Sequence, residues 1–162
     1  GICLGVQLAV IEYCRKVTGI CDAGSTGFEQ PCTPIISLMT GWGKDGKKAT
    51  RSKSSDKGGT LRLGRYPAVL KEDSLVRDIY GEELIYERHR HRYEMDGTYN
   101  PELEKHGMIV SGKSPDGKLP EIVELKEHPF FIGVQFHPEF KSSPFKAHPI
   151  FVRFIKSAAH RI

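Results

Sequence analysis

From Leu4 to Val17 apolar residues return every three or four positions, at Leu4, Leu8, Ile11 and Cys14. That spacing predicts a helix with one buried face, stopped by Gly19. Between Asp22 and Pro34 the pattern is lost to Gly24, Ser25, Gly27, Pro31 and Pro34, a turn-rich stretch. Ile35 to Met39 is a short apolar run and reads as a strand. Thr60 to Tyr66 alternates apolar and polar through Leu63, and Leu84 to Glu94 alternates again, which predicts two half-buried strands. Between them Ser74 stands where an N-cap belongs, ahead of a short helix to Tyr80. Met108 to Ser111 and Ile122 to Leu125 read as strands on either side of the turn Ser114-Pro115-Asp116-Gly117. Phe130 to Phe136 is almost continuously apolar, as in a strand covered on both faces. Pro149 to Ile162 reads as a closing helix with proline in its first turn. Helical and extended segments interleave without a repeat or a linker, so the expectation is one α/β domain over residues 1–162.

Composition narrows the class. No apolar run approaches the roughly 18 residues of a membrane span. The opening residues Gly1-Ile2-Cys3-Leu4-Gly5 lack a basic leader and a cleavage pattern, which reads as a cytoplasmic protein without membrane contact. The formal net charge of +4 is carried wholly by residues 43–59, with six Lys or Arg against two Asp. That segment contains no aromatic residue for stacking, so it reads as a basic, flexible loop over about 40–59 and not as a nucleic-acid site. The four cysteines, Cys3, Cys14, Cys21 and Cys32, form no C-x-x-C pair, which argues against structural zinc. Cys14 falls on the helical pattern as a small buried hydrophobe.

Cys3 differs from the other three. It stands between Gly1 and Gly5 immediately before a helix, the layout of a nucleophile elbow. A sharp turn there leaves no room for side chains two residues away on either side. The N-terminus of the following helix favours thiolate, and the Leu4 amide is placed to donate to an oxyanion. At the other end, the buried strand runs out at His137-Pro138-Glu139. In extended backbone, residues two apart share a side, so Glu139 can orient the His137 imidazole as a general base. Cys3 and His137 lie 134 residues apart. In parallel α/β sheets functional groups gather at the carboxyl ends of strands, which is the expected route to one Cys-His-Glu site.

Cys3-Leu4-Gly5-Val6-Gln7 and His137-Pro138-Glu139 resemble the class I, or triad, glutamine amidotransferases. The segments 58–64 (Gly-Gly-Thr-Leu-Arg-Leu-Gly), 87–94 (Glu-Arg-His-Arg-His-Arg-Tyr-Glu) and 130–140 resemble more narrowly the amidotransferase domains of CTP synthases. The resemblance implies a flavodoxin-like three-layer α/β sandwich, with the strands that precede the elbow missing from this stretch. It implies that Cys3, His137 and Glu139 hydrolyse L-glutamine through a thioester. It further implies that Leu4, Gly5, Val6, Gln7, Arg92 and Tyr93 contact the glutamine, with the Arg92 guanidinium on its carboxylate. Residues 58–64 resemble a lid, with Arg62 as the residue that couples glutamine hydrolysis to allosteric activation. No cofactor is expected in this chain. The ammonia would pass to a synthetase domain of the same polypeptide, which uses ATP and Mg²⁺ to aminate UTP to CTP, takes GTP as activator, and assembles as a homotetramer. One departure stands out: Gly24-Ser25-Thr26-Gly27-Phe28 lies where the family reads Asn-Ser-Thr-Glu-Phe, and that glutamate pairs with the substrate amino group. The alternative is a truncated, weakly catalytic or non-catalytic module kept for partner binding.

The Arg-His repeat has its own reading from residue types alone. A strand there places Arg88, Arg90 and Arg92 on one face and His89, His91 and Tyr93 on the other. An exposed edge kept soluble by charge accounts for Arg88 and Arg90. Histidines two apart with no third ligand nearby do not make a metal site.

Overall fold

The computed structural model describes residues 1–28, 31–38, 41–44, 47–50 and 62–159, with 41–44 and 47–50 as backbone only. In chain order the elements are α1 Leu4–Tyr13, β1 Ala23–Ser25, β2 Thr33–Leu38, β3 Gly41–Lys44, β4 Lys47–Thr50, β5 Arg62–Leu70, α2 Leu75–Tyr80, β6 Leu84–His91, β7 Tyr93–Met95, α3 Asn100–Lys105, β8 Met108–Lys113, β9 Pro120–Leu125, β10 Ile132–Val134 and α4 Pro149–Ala159. The larger sheet has the order β10-β9-β8-β5-β6, and β1-β2-β7 form a second.

Adjacent residues of β9 show how the layers stack. Val123 belongs to a core that joins Val6, Val10 and Ile11 of α1 to Ile35, Ile36 and Met95 of the smaller sheet. Its neighbour Ile122 belongs to a second core with Val76 of α2, Ile150 of α4, Val134 and Phe136. Successive strand residues face opposite sides, so β9 lies between two helical layers. The α/β sandwich is as expected. The parallel sheet is not: every pairing between strands of the larger sheet is antiparallel. Among the described residues parallel pairing is confined to β1 with β2 and to a single bridge between Ile2 and Val134.

Several elements differ from the sequence pattern for identifiable reasons. The helix predicted to Val17 runs regularly to Tyr13, widens into a π-turn over Cys14–Thr18 and stops at the left-handed Gly19. Its buried residues are Val6, Gln7, Val10, Ile11 and Cys14, whereas Leu4 and Leu8 are exposed. Apolar residues surround nearly all of α1, so their spacing alone does not single out the buried face. The strand expected at 60–66 is β5, which continues past Pro67 to Leu70. Proline is tolerated because β5 meets β8 only at Val69 and Leu70, leaving the second edge at Pro67 without a ladder. The strand expected over 84–94 is broken at Arg92: β6 stays in the larger sheet and β7 crosses to pair with β2. The segment expected as a loop over 40–59 contains the hairpin β3-β4, and its remaining residues, like the lid residues 58–61, lie outside the described ones. Ser74 caps α2 as expected, its hydroxyl accepting from the Arg77 amide. Among the described residues no helix is long and apolar enough to cross a membrane.

Candidate active site

The first three residues form the elbow. Val134 donates to the Gly1 carbonyl and accepts from the Cys3 amide, both at 2.8 Å, so the chain start lies parallel on the outer edge of β10. Cys3 then turns into α1 with φ 49° and ψ −107°. Such a conformation costs a non-glycine residue on the order of 1–3 kcal/mol and persists only where surrounding bonds impose it. Here they do: beyond the β10 contacts, the Gly5 amide donates to the Ile2 carbonyl at 2.7 Å and the Gln7 amide to the Cys3 carbonyl. Only one flanking glycine is demanded by space. A Cβ on Gly1 would lie 2.9 Å from the Gly5 and Val6 backbone, whereas one on Gly5 would meet nothing within 4 Å. The tight side of the turn is therefore the strand side, and the space beside Gly5 is open.

After β10, the Gln135 amide donates to the Glu121 carbonyl and the His137 amide to the Arg88 carbonyl at 2.8 Å. The chain thus returns from one edge of the sheet to the other, β6. The Cys3 thiol meets that same strand two residues on, donating to the Arg90 carbonyl at 3.9 Å. His137 Nδ1 donates to Glu139 Oε1 at 2.6 Å. A carboxylate only accepts, so this bond puts the proton on Nδ1 and leaves a lone pair on Nε2. Nε2 is shielded from solvent and has no hydrogen-bond partner among the described residues. The ring is fixed from one face by Phe140, stacked at 4.9 Å between centroids. A buried, unpartnered basic nitrogen calls for a reason, and an incoming proton is one.

The sulfur carries its proton at rest. Burial pushes the Cys3 thiol above its ordinary range, the Leu4 amide donating to the sulfur opposes this, and the Glu139 charge adds to it. The helix N-terminus expected to favour thiolate is present through Leu4 but is outweighed by desolvation.

The remaining expected site residues divide. Leu4 and Gly5 face solvent, while the side chains of Val6 and Gln7 are buried. Gln7 Nε2 donates to the Tyr93 carbonyl at 2.8 Å and to Gln135 Oε1 at 3.0 Å. Arg92 is half-buried at the bend between β6 and β7. Tyr93 begins β7, and a Cβ on Gly27 would come within 3.0 Å of its ring. The departure at Gly27 therefore sits against a residue expected to touch the substrate.

Arg62, the last-but-two residue of the lid-like segment 58–64, is the first residue of β5 and only 3% exposed. Its guanidinium bonds Glu94 at 3.0 Å and Glu121 at 2.5 Å and lies over the Tyr66 ring. His89 and His91 lie in the same buried cluster, with Nδ1 of one 2.8 Å from Nε2 of the other. Burial and then the Arg62 charge lower both imidazoles, His91 to about 3, so both stay neutral. Burial and then the Glu121 charge raise Glu94 to about 8 against the pull of Arg62. Two carboxylates facing one guanidinium and two neutral imidazoles retain a proton between them. The alternation read from the sequence put these histidines on one face, but nothing in it gave the partners, which come from β5, β7 and β9. Among the described residues no group of three or more His, Cys, Asp or Glu is placed to hold a metal ion.

The family model for "Glutamine amidotransferase class-I" matches residues 1–157. The chain is 56% identical over 158 residues to a CTP synthase of Hyphomonas neptunium, covering 98% of this chain and 29% of that protein. It is 54% identical over 161 residues to a CTP synthase of Maricaulis maris, covering 99% and 30%. It thus spans under a third of the length of these relatives. Among solved structures, the glutaminase domain of Trypanosoma brucei CTPS with bound acivicin superposes with a TM-score of 0.85 at 34% identity, covering 99% of this chain and 59% of that one. An elbow cysteine, a carboxylate-oriented histidine and a family match over almost every residue lead to one conclusion: this chain belongs to the class I glutamine amidotransferases.

Proposed function

We propose that this chain is the glutaminase part of a CTP synthase and that Cys3, His137 and Glu139 carry its chemistry. The observation that supports this most is that a strained elbow cysteine, and a histidine whose Nδ1 is committed to Glu139 and whose Nε2 has no partner among the described residues, bond to β6 carbonyls two residues apart, those of Arg90 and Arg88. His137 Nε2 takes the thiol proton as the sulfur attacks the side-chain carbonyl carbon of L-glutamine. The Leu4 amide then donates to the oxyanion. The C–N bond breaks, and the His137 imidazolium gives its proton to the departing ammonia. The γ-glutamyl thioester is opened by a water whose proton returns to Nε2, releasing glutamate and the thiol. Glu139 keeps the imidazole in the one tautomer that serves both halves.

Arg92 takes the α-carboxylate of glutamine, and Leu4, Gly5, Val6, Gln7 and Tyr93 line the substrate, Val6 through its backbone since its side chain is committed to the core. The ammonia passes to a synthetase part of the same protein, where ATP and Mg²⁺ drive the amination of UTP, GTP activates, and a homotetramer assembles.

The test is ammonia release from glutamine by the protein. Cys3→Ala abolishes it, and His137→Ala lowers kcat by roughly 10²–10⁴. A diazo-ketone analogue of glutamine labels the Cys3 peptide. Unlabelled Cys3 together with no ammonia would instead support a non-catalytic module.

A further inference from the structure

Gln135 is a polar residue beside the elbow that the proposed chemistry leaves unused. It is 2% exposed, in an otherwise apolar run between Val134 and Phe136. Its side-chain nitrogen lies 3.8 Å from the Cys3 sulfur. An amide can be built either way round, so the direction of this bond has to be argued. The argument starts from a backbone carbonyl, which can only accept. The Tyr93 carbonyl lies 2.8 Å from the Gln7 amide, so Gln7 must present its NH₂ there. The same nitrogen lies 3.0 Å from Gln135 and therefore meets the Gln135 oxygen. With its oxygen held by Gln7, Gln135 has only its NH₂ left to face Cys3.

We propose that Gln135 stabilises the Cys3 thiolate by donating to the sulfur through its side-chain amide, locked in that direction by Gln7 and the Tyr93 carbonyl. With the Leu4 amide this gives the sulfur a second N–H donor. The Arg90 carbonyl, which receives the S–H at rest, can only repel a thiolate. The two donors become stronger when the proton leaves, the charged acceptor being the better one. Gln7 thereby acts at the elbow through Gln135 as well as from its place beside the substrate. The functional meaning rests on Cys3 being the nucleophile, but the bond to the sulfur does not.

The test is the pH dependence of iodoacetamide alkylation at Cys3, resolved by peptide mass spectrometry, with the exposed Cys21 as internal control. Gln135→Met keeps length and removes the donor; its Cys3 midpoint moves up by about one pH unit while Cys21 does not move. Gln7→Met, which releases the lock and leaves the donor on Gln135 in place, moves the Cys3 midpoint of the substrate-free protein in the same direction by less. Ammonia release by Gln135→Met falls at neutral pH and recovers as pH rises, which a merely loosened fold does not do. A folded Gln135→Met or Gln7→Met whose Cys3 profile superimposes on that of the parent overturns the proposal. A shifted profile in a protein that releases no ammonia upholds the bond to the sulfur and sinks the glutaminase reading instead.

Discussion

The elbow at Cys3 was legible because it depends on a local pattern: two glycines, a turn and a helix start within five residues. What the pattern left out is that Gly1 alone answers to a steric need, while Gly5 faces open space. Gln135 was not legible in this way, although a signal existed. A glutamine inside a buried apolar run has to find a partner, and that requirement marks it for inspection. Gly27 carries a prediction of its own. In the proposed site Gly27 offers no carboxylate to the substrate amino group where the family has a glutamate, a bond worth about 1.5–3 kcal/mol. A side chain at 27 meets the Tyr93 ring, the movable end of a side chain, at 3.0 Å. Gly27→Glu is therefore expected to lower KM for glutamine by about tenfold or more with kcat little changed. Steady-state kinetics of the parent protein and Gly27→Glu checks this, and an unchanged KM would show that the loop does not reach the substrate.

Elements were read well where one face is wet and poorly where neighbours decide. β6 alternated as its sequence did, but its end at Arg92 is set by β2, which captures residues 93–95 for another sheet. Asp45-Gly46 between two short segments is a hairpin signal that a reading by charge passed over. The turn that carries His137 and Glu139 is anchored by Glu87 of β6. This fully buried carboxylate accepts from Lys141 at 2.9 Å, from the Tyr80 hydroxyl at 3.0 Å and from His148 at 3.1 Å. Burial would raise its pKa, but the bonds from His148 and Lys141 win and lower it. One residue thus ties α2, the 138–141 turn and the start of α4 to the sheet. Glu87→Ala is expected to cost about 3 kcal/mol, at the low end for a broken buried pair because the half-exposed Lys141 regains water. Urea denaturation measures this, and kcat should fall as well because His137 loses its anchored turn. A loss of stability with kcat untouched would separate the turn from the site.

At the scale of the molecule, the layered α/β architecture followed from interleaved helices and apolar strands. The antiparallel pairing did not, because strand direction is fixed by connections that residue patterns leave open. The buried cluster around Arg62 was invisible for a similar reason: its members come from four strands. It makes stability depend on pH in two opposed ways. Glu94 keeps its proton to about pH 8 in the folded state, against an ordinary 4.5, so the folded state binds more protons and stability falls as pH rises through that window. His91, lowered from 6.5 to about 3, leaves the unfolded state binding more protons, so stability falls as pH drops through its own window. The two slopes oppose each other between about 4.5 and 6.5, and from 6.5 to 8 that of Glu94 is no longer opposed by that of His91. The urea midpoint is expected to be lower at pH 8 than at pH 6, and Glu94→Gln to flatten that decline; a midpoint that rises would contradict the shared proton. The central claim is that folding delivers a thiol at residue 3 to a base at residue 137 for attack on glutamine. Acid quench of the protein during turnover, followed by peptide mass spectrometry, tests it most directly. The account predicts a γ-glutamyl group on the Cys3 peptide that is absent from Cys3→Ala and accumulates far more slowly in His137→Ala. Ammonia released with no group on Cys3, or no ammonia and no adduct at all, would contradict it.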